Sequence, residues 1–454
     1  MRILGGRDTW VTIAGFALAV VLCLYYQAHA VILRPLRADA AQYAKLAINL
    51  VQHHVLSSAD PGATVFLPES YRTPGYPLIL AVIYRLSGQT LHSLYQATIA
   101  VQAFMAALTV ALVFRIGRQF LSFWPAVAAS LLLALWPMSI TQSGYLLTET
   151  AFGFFLSAGV WMACVANARA SRTLYAVSGA LLAFSASINP MIGPFVLMLA
   201  AVLWMRRERA MALIVFITIA LPCVAWQVRS ANLPPASVGV SQGHRLAENI
   251  LLGMSPDFKQ YFADQESPEG ARIFGEFKRM LDLHDQQPAA FYGELVQSVA
   301  SRPGKYLHWY LIEKPADIWS WPIVQGAGGI YQYTNIQSPF ETNAFYRLTA
   351  MISITLSTVF VLLALIGAVR GVLGWLLGWH RSWPQLVLGL LFWYFSLLYW
   401  VLTPDGRYVT PFRGCEFLLA VSAIVSIAST LQSRRDRAAT SLSRDAVDAG
   451  MASP

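Results

Sequence analysis

Ten long apolar runs, joined mostly by short polar loops, constrain this 454-residue chain more than any other feature. They fall near residues 11–33, 92–114, 121–141, 146–166, 173–189, 191–205, 210–228, 347–369, 384–403 and 411–431. About 20 apolar residues in a helix cross the hydrocarbon of a bilayer. Inside it, only helices and closed barrels satisfy the backbone. Runs of this length predict an all-α, polytopic integral membrane protein with about ten transmembrane helices. The pair at 173–205 is short and broken by Asn189-Pro190 and Gly193-Pro194, so a tilted or re-entrant path is also open there. Charged residues make up only 12% of the chain, against about 25% in soluble domains. The net charge of +9 does not point to nucleic acid, because the basic residues are scattered through short loops.

Those loops orient the stack. Arg115 and Arg118, Arg169 and Arg172, Arg206, Arg207 and Arg209, Arg370 and Arg381, and Arg434, Arg435 and Arg437 follow alternate spans, on the side of Arg2 and Arg7. The opposite short loops 141–147 and 187–193 hold no Lys or Arg. Both termini are therefore expected in the cytoplasm. The apolar run after Arg7 exceeds a cleavable signal's core of about 7–15 residues and reads as a retained anchor. The four cysteines, Cys23, Cys164, Cys223 and Cys415, lie singly in apolar runs and read as small buried residues.

The expected organisation is an N-terminal transmembrane module, 1–228, whose first outer loop is 34–91. An outer segment, 229–346, is expected to be mostly helical, with 287–320 as interfacial helices. The C-terminal membrane helices span 347–431, and 432–454 reads as a disordered cytoplasmic tail. No internal repeat is visible.

Four polar motifs fall on the outer face. In the first, Asp39, Tyr43, Leu46 and Leu50 recur at helical spacing, so a short amphipathic helix follows the first span. Asp39-x-x-Gln42 is also a capping box, and capping and catalysis weigh equally here. In the second, Pro74-Gly75 makes a turn that fixes Arg72 near the surface, suited either to a phosphate or to an ordinary interfacial place. In the third, Leu147-Thr148-Glu149, Thr148 caps a helix and Glu149 complements its dipole, or Glu149 is a second carboxylate facing Asp39. In the fourth, Asp405-Gly406-Arg407-Tyr408, Arg407 departs from the positive-inside pattern, which favours a function such as binding a lipid-linked phosphate.

Taken together, Asp39-Ala-Ala-Gln-Tyr43, Arg72-Thr-Pro-Gly-Tyr76-Pro77, Leu147-Thr-Glu149 and Arg407-Tyr408-x-x-Pro411 resemble the motifs of the GT-C superfamily of membrane glycosyltransferases. The likeness is nearest to protein O-mannosyltransferases and lipid A aminoarabinose transferases. It implies a polyprenyl-phosphate-linked sugar donor, a lipid, glycan or protein acceptor, and a periplasmic active site at a bacterial inner membrane. It makes Asp39 and Glu149 the catalytic carboxylates and the candidate ligands of a divalent metal, Mg or Mn. Tyr43, Arg72, Tyr76, Arg407 and Tyr408 stand at or beside donor-binding positions. The chain departs from the family in carrying Ala40 where many relatives have Glu. The alternatives are a lipid-linked polysaccharide polymerase or ligase, which would not need Asp39, and a polytopic transporter. Transporters place polar groups at mid-membrane and often show repeats.

Overall fold

In the computed structural model the described residues are 5–234, 242–258, 267–319, 335–379 and 382–451, with side chains described as far as 437. Most of them are helical. Among the described residues, seven helices are long and apolar enough to cross a membrane, or eight if one bent pair counts as a single span.

The seven are α1 (Gly6–His29), α4 (Leu91–Gly117), α7 (Thr148–Arg169), α10 (Arg209–Ala231), α17 (Ala344–Leu376), α18 (Trp383–Val401) and the membrane part of α19 (Arg413–Met451). The bent pair is α5 (Phe123–Leu135) with Pro137–Gly144, which begins with the short helix α6 (Pro137–Thr141); the two parts meet at 57°. Pro137 explains the bend, since it cannot continue the hydrogen-bond ladder. The expected pair at 173–205 becomes α8 (Arg172–Ile188) and α9 (Gly193–Met205), separated by the turn at Pro190–Ile192. At 1.5 Å per residue these reach only about 26 Å and 20 Å, short of a full crossing. This is why the span count falls below ten. Helix α19 runs on to Met451, through the tail expected to be disordered. Ala and Arg recur there without Pro before the helix ends, which favours helix.

The packing divides lipid-facing from inward surfaces. Leu213, Phe216, Leu221 and Val224 on α10 are exposed, whereas Val215 and Ile219 are buried. Cys223 is exposed on the same helix, contrary to expectation; the other three cysteines are buried.

Three devices position the outer end. Helix α2 (Ala38–His53) follows α1 directly and lies against α3 (Gly75–Leu86). Gly75 is required by close approach rather than by its backbone angles. A Cβ there would lie 2.3 Å from Ser187 Oγ and 2.6 Å from the Ser187 carbonyl carbon, so α3 starts against the end of α8. Strand β1 (Val31–Ile32) pairs antiparallel with β2 (Asn335–Gln337), tying the start of the first loop to the far end of the outer segment. Between them run α11 (Gln242–Gly253), α12 (Pro268–Gln286), α13 (Pro288–Ser301), α14 (Pro303–His308) and α15 (Lys314–Trp319). Pro at N1 starts α12, α13 and α14, where its missing N–H costs nothing. Val296, Leu307, Leu311 and Ile312 are exposed, as suits helices lying at a bilayer surface. Residues 320–334, between α15 and β2, lie outside the described set.

Candidate active site

The four outer motifs meet at one end of the bundle, around Asp39. That residue is the second of α2, and the N-cap is Arg37, which makes no side-chain capping bond. The capping reading of Asp39 is therefore replaced by an ionic one. Its Oδ1 accepts from Arg72 Nη2 at 2.6 Å and its Oδ2 from Arg407 Nη2 at 3.3 Å. The residue just before it, Ala38, has φ 47°. A left-handed non-glycine residue costs roughly 1–3 kcal/mol and persists only when its surroundings impose it.

Arg72 is almost fully buried. Its Nε donates to Gln42 Oε1 at 2.8 Å and its Nη1 to the Tyr43 hydroxyl at 3.3 Å. The guanidinium lies over the rings of Tyr43 and Tyr71 at 4.9 and 5.1 Å. Tyr76 is placed differently from expectation. It is 1% exposed, edge-on behind Tyr43, with its hydroxyl bonded to Gln102, so it backs the site rather than lining it.

Arg407 lies in a 3₁₀ segment, Gly406–Phe412. Its backbone N–H donates to Asp405 Oδ1 at 2.9 Å, the Asx turn that Asp-Gly signals. Its side chain faces three carboxylates: Asp39, Glu149 (Nε to Oε1, 3.7 Å) and Asp405 (Nε to Oδ2, 3.5 Å). It also donates from Nη2 to the Tyr408 hydroxyl at 3.0 Å. Its Nε and Nη1 are buried without a hydrogen-bond acceptor. Buried donors without an acceptor are costly to leave unmade, and Nε stands within ion-pair distance of Glu149 and Asp405. Glu149 is the second residue of α7, whose N-cap is Leu147 without a side-chain cap. Thr148 therefore does not cap this helix, and Glu149 is 6% exposed and turned to Arg407.

The charges settle the state of Asp39. Burial pushes its carboxyl up, but Arg72, Arg407 and Arg245 outweigh burial and hold it at about 2. Arg245, on α11, was not signalled by the sequence. Its guanidinium lies 5.5 Å from the Tyr71 ring centre and donates to the Tyr71 carbonyl at 3.4 Å. Glu248, one turn further on, accepts from the Tyr71 hydroxyl at 2.7 Å. Gln42, which the sequence offers as part of a capping box, instead accepts from Arg72. The only local trace of the α11 contribution is Arg245-x-x-Glu248 on an amphipathic stretch, a pattern common on any helix surface.

The carboxylates do not suit a divalent metal. Asp39 and Glu149, the expected ligands, both face Arg407, whose guanidinium occupies the place of a bridging cation. Among the described residues no group of three His, Cys, Asp or Glu side chains is arranged to hold a metal ion.

No protein-family model matches the chain, and no curated protein matches it. Solved structures do. The oligosaccharyltransferase AglB from Archaeoglobus fulgidus, in complex with an inhibitory peptide and a dolichol-phosphate, superposes with a TM-score of 0.51 at 13% identity. The match covers 95% of this chain and 52% of AglB, so the chain spans about half the length of that protein. ArnT from Cupriavidus metallidurans, bound to undecaprenyl phosphate, matches with a TM-score of 0.40 at 14% identity, over 90% of this chain and 77% of ArnT. The fold is shared with AglB. Within it, the residues of the four motifs are collected at one end of the bundle.

Proposed function

We propose that this chain is a glycosyltransferase that moves a sugar from a polyprenyl-phosphate donor to an acceptor hydroxyl at the outer, periplasmic face of a bacterial inner membrane. The observation that carries the reading is the buried Arg407, with two donors unpaired, sharing the Asp39 carboxylate with Arg72. AglB was solved with dolichol-phosphate, which accords with a lipid phosphate as the anion that these arginines receive.

The donor's tail lies in the bilayer, and its phosphate meets Arg407, Arg72 and Arg245. Asp39 takes the proton of the acceptor hydroxyl while that oxygen attacks the anomeric carbon. The bond from that carbon to the phosphate oxygen breaks, and its electron pair leaves on the phosphate. Charge grows on that oxygen as the bond breaks, where fixed guanidinium groups stabilise it most. Displacement from the opposite face inverts the anomeric centre.

A carboxylate held at about 2 is ionised but weakly basic. A bound phosphate draws the guanidinium charge to itself, which raises the pKa of Asp39. The base is thereby strengthened when the donor is in place. General-base help of this kind contributes about 10²–10⁴-fold. Glu149 and Asp405 orient Arg407. The outer segment 229–346, which supplies Arg245, borders the acceptor side and selects among lipid, glycan and protein. Both termini lie in the cytoplasm.

The test is a comparison of extracted lipids by mass spectrometry from cells with and without the gene. Accumulation of a glycosylated polyprenyl phosphate in the deletion, with loss of one sugar from a surface molecule, supports the proposal. Unchanged lipid-linked sugars contradict it.

A further inference from the structure

At the end of the bundle opposite Asp39, the helices part around a cavity of about 950 Å³. Asp8 at the start of α1, Arg115 and Arg118 at the end of α4, and Arg169 at the end of α7 line it. Three arginines thus share it with one aspartate. Asp8 is buried and committed to Arg118 at 3.1 Å, and Arg118 also donates to the Leu121 carbonyl at 3.0 Å. Arg115 is different. Among the described residues no carboxylate lies within ion-pair distance of it, and its guanidinium carbon lies 5.9 Å from the Trp161 ring centre.

The rest of the wall is largely apolar, including Phe120, Met162 and Leu174. The arginines stand in or just beyond the last turns of helices that span the membrane, at the level of the lipid headgroups. Basic pockets between transmembrane helices at this level bind anionic headgroups. The volume far exceeds the roughly 30 Å³ share of a single water. It accommodates a headgroup with its glycerol, and the apolar wall suits the start of an acyl chain better than a free ion.

We propose that this cavity binds the phosphate of an anionic phospholipid, with Arg115 as its principal partner, from the leaflet opposite the active site. The assignment does not depend on the transferase reading.

The test is native mass spectrometry of the full chain, released from detergent with equal phosphatidylglycerol and phosphatidylcholine. The parent is expected to retain phosphatidylglycerol preferentially. Arg115→Gln lowers that retention about fivefold, the equivalent of roughly 1 kcal/mol per basic residue. Ala168→Trp, which fills the cavity from its lining and leaves every charge in place, lowers it too and serves if Arg115→Gln misfolds. Arg85→Gln, on an exposed position of α3, leaves it unchanged. Glycerol phosphate at the same concentration does not displace the lipid. Equal retention of the two lipids by the parent, or retention unchanged in both cavity variants, overturns the proposal. Displacement by glycerol phosphate overturns it as well, making this a site for soluble anions.

Discussion

Arg407 and Asp39, 368 residues apart in the chain, meet at 3.3 Å. The contact joins the loop between the last two membrane helices to the first turn of the helix that follows the first one. It places the proposed phosphate-binding group and the proposed base on a single hydrogen bond, so each reports on the other.

Arg407→Gln is expected to lower the transfer rate by roughly 10²–10³-fold, the loss seen when one donor to a developing oxyanion is removed. Arg407→Lys does not restore it, because an ammonium cannot reproduce the planar fork that spans Asp39, Glu149 and Tyr408. Single-turnover rates on saturating donor measure this.

Chelation should leave activity intact. Arg407 already sits between Asp39 and Glu149, so stripping Mg or Mn with EDTA is expected to leave the rate unchanged. Loss of activity on chelation, restored by Mn, contradicts this placement.

Asp39 couples pH to stability. Its folded-state pKa, about 2, lies below its ordinary 3.8. The folded state therefore gains from ionised Asp39 above about pH 4 and loses that gain as pH falls towards 2, a contribution of order 2 kcal/mol. Unfolding in detergent across pH 2–5 should show this acid limb in the parent, and a flatter one in Asp39→Asn.

Lys314 couples with the same sign in a higher pH window. Its buried Nζ donates to the carbonyls of Gly253 and Val401 at 2.7 and 3.1 Å, joining the ends of α11 and α18 just before the Arg407 loop. Burial pushes it down to about 7 from 10.5. The unfolded chain binds a proton here that the folded chain lacks between these values, so stability rises with pH from about 7 to 10. Thermal unfolding of Lys314→Met should lose that rise.

The membrane helices were legible because apolar runs of their length have no other use. The four outer motifs were legible as neighbours because positive-inside charge put them on one face. Three things were not. Where α2 starts depends on how the chain turns at Arg37 and Ala38, and this decides whether Asp39 caps a helix or meets two arginines. Whether Tyr76 lines the site depends on Gln102, on the neighbouring helix α4. Arg245 reaches the site only because α11 folds back over Tyr71, and nothing local to Arg245 encodes that approach. At Asn189-Pro190, where the sequence left a tilted or re-entrant path open, two apolar runs became the shorter helices α8 and α9.

The most direct test of the central claim is Asp39→Asn, expressed at parental level, with lipids compared by mass spectrometry against the parent and the deletion. The account predicts that Asp39→Asn accumulates the same glycosylated polyprenyl phosphate as the deletion. A variant that matches the parent contradicts it, and reduces Asp39 to a brace between Arg72 and Arg407.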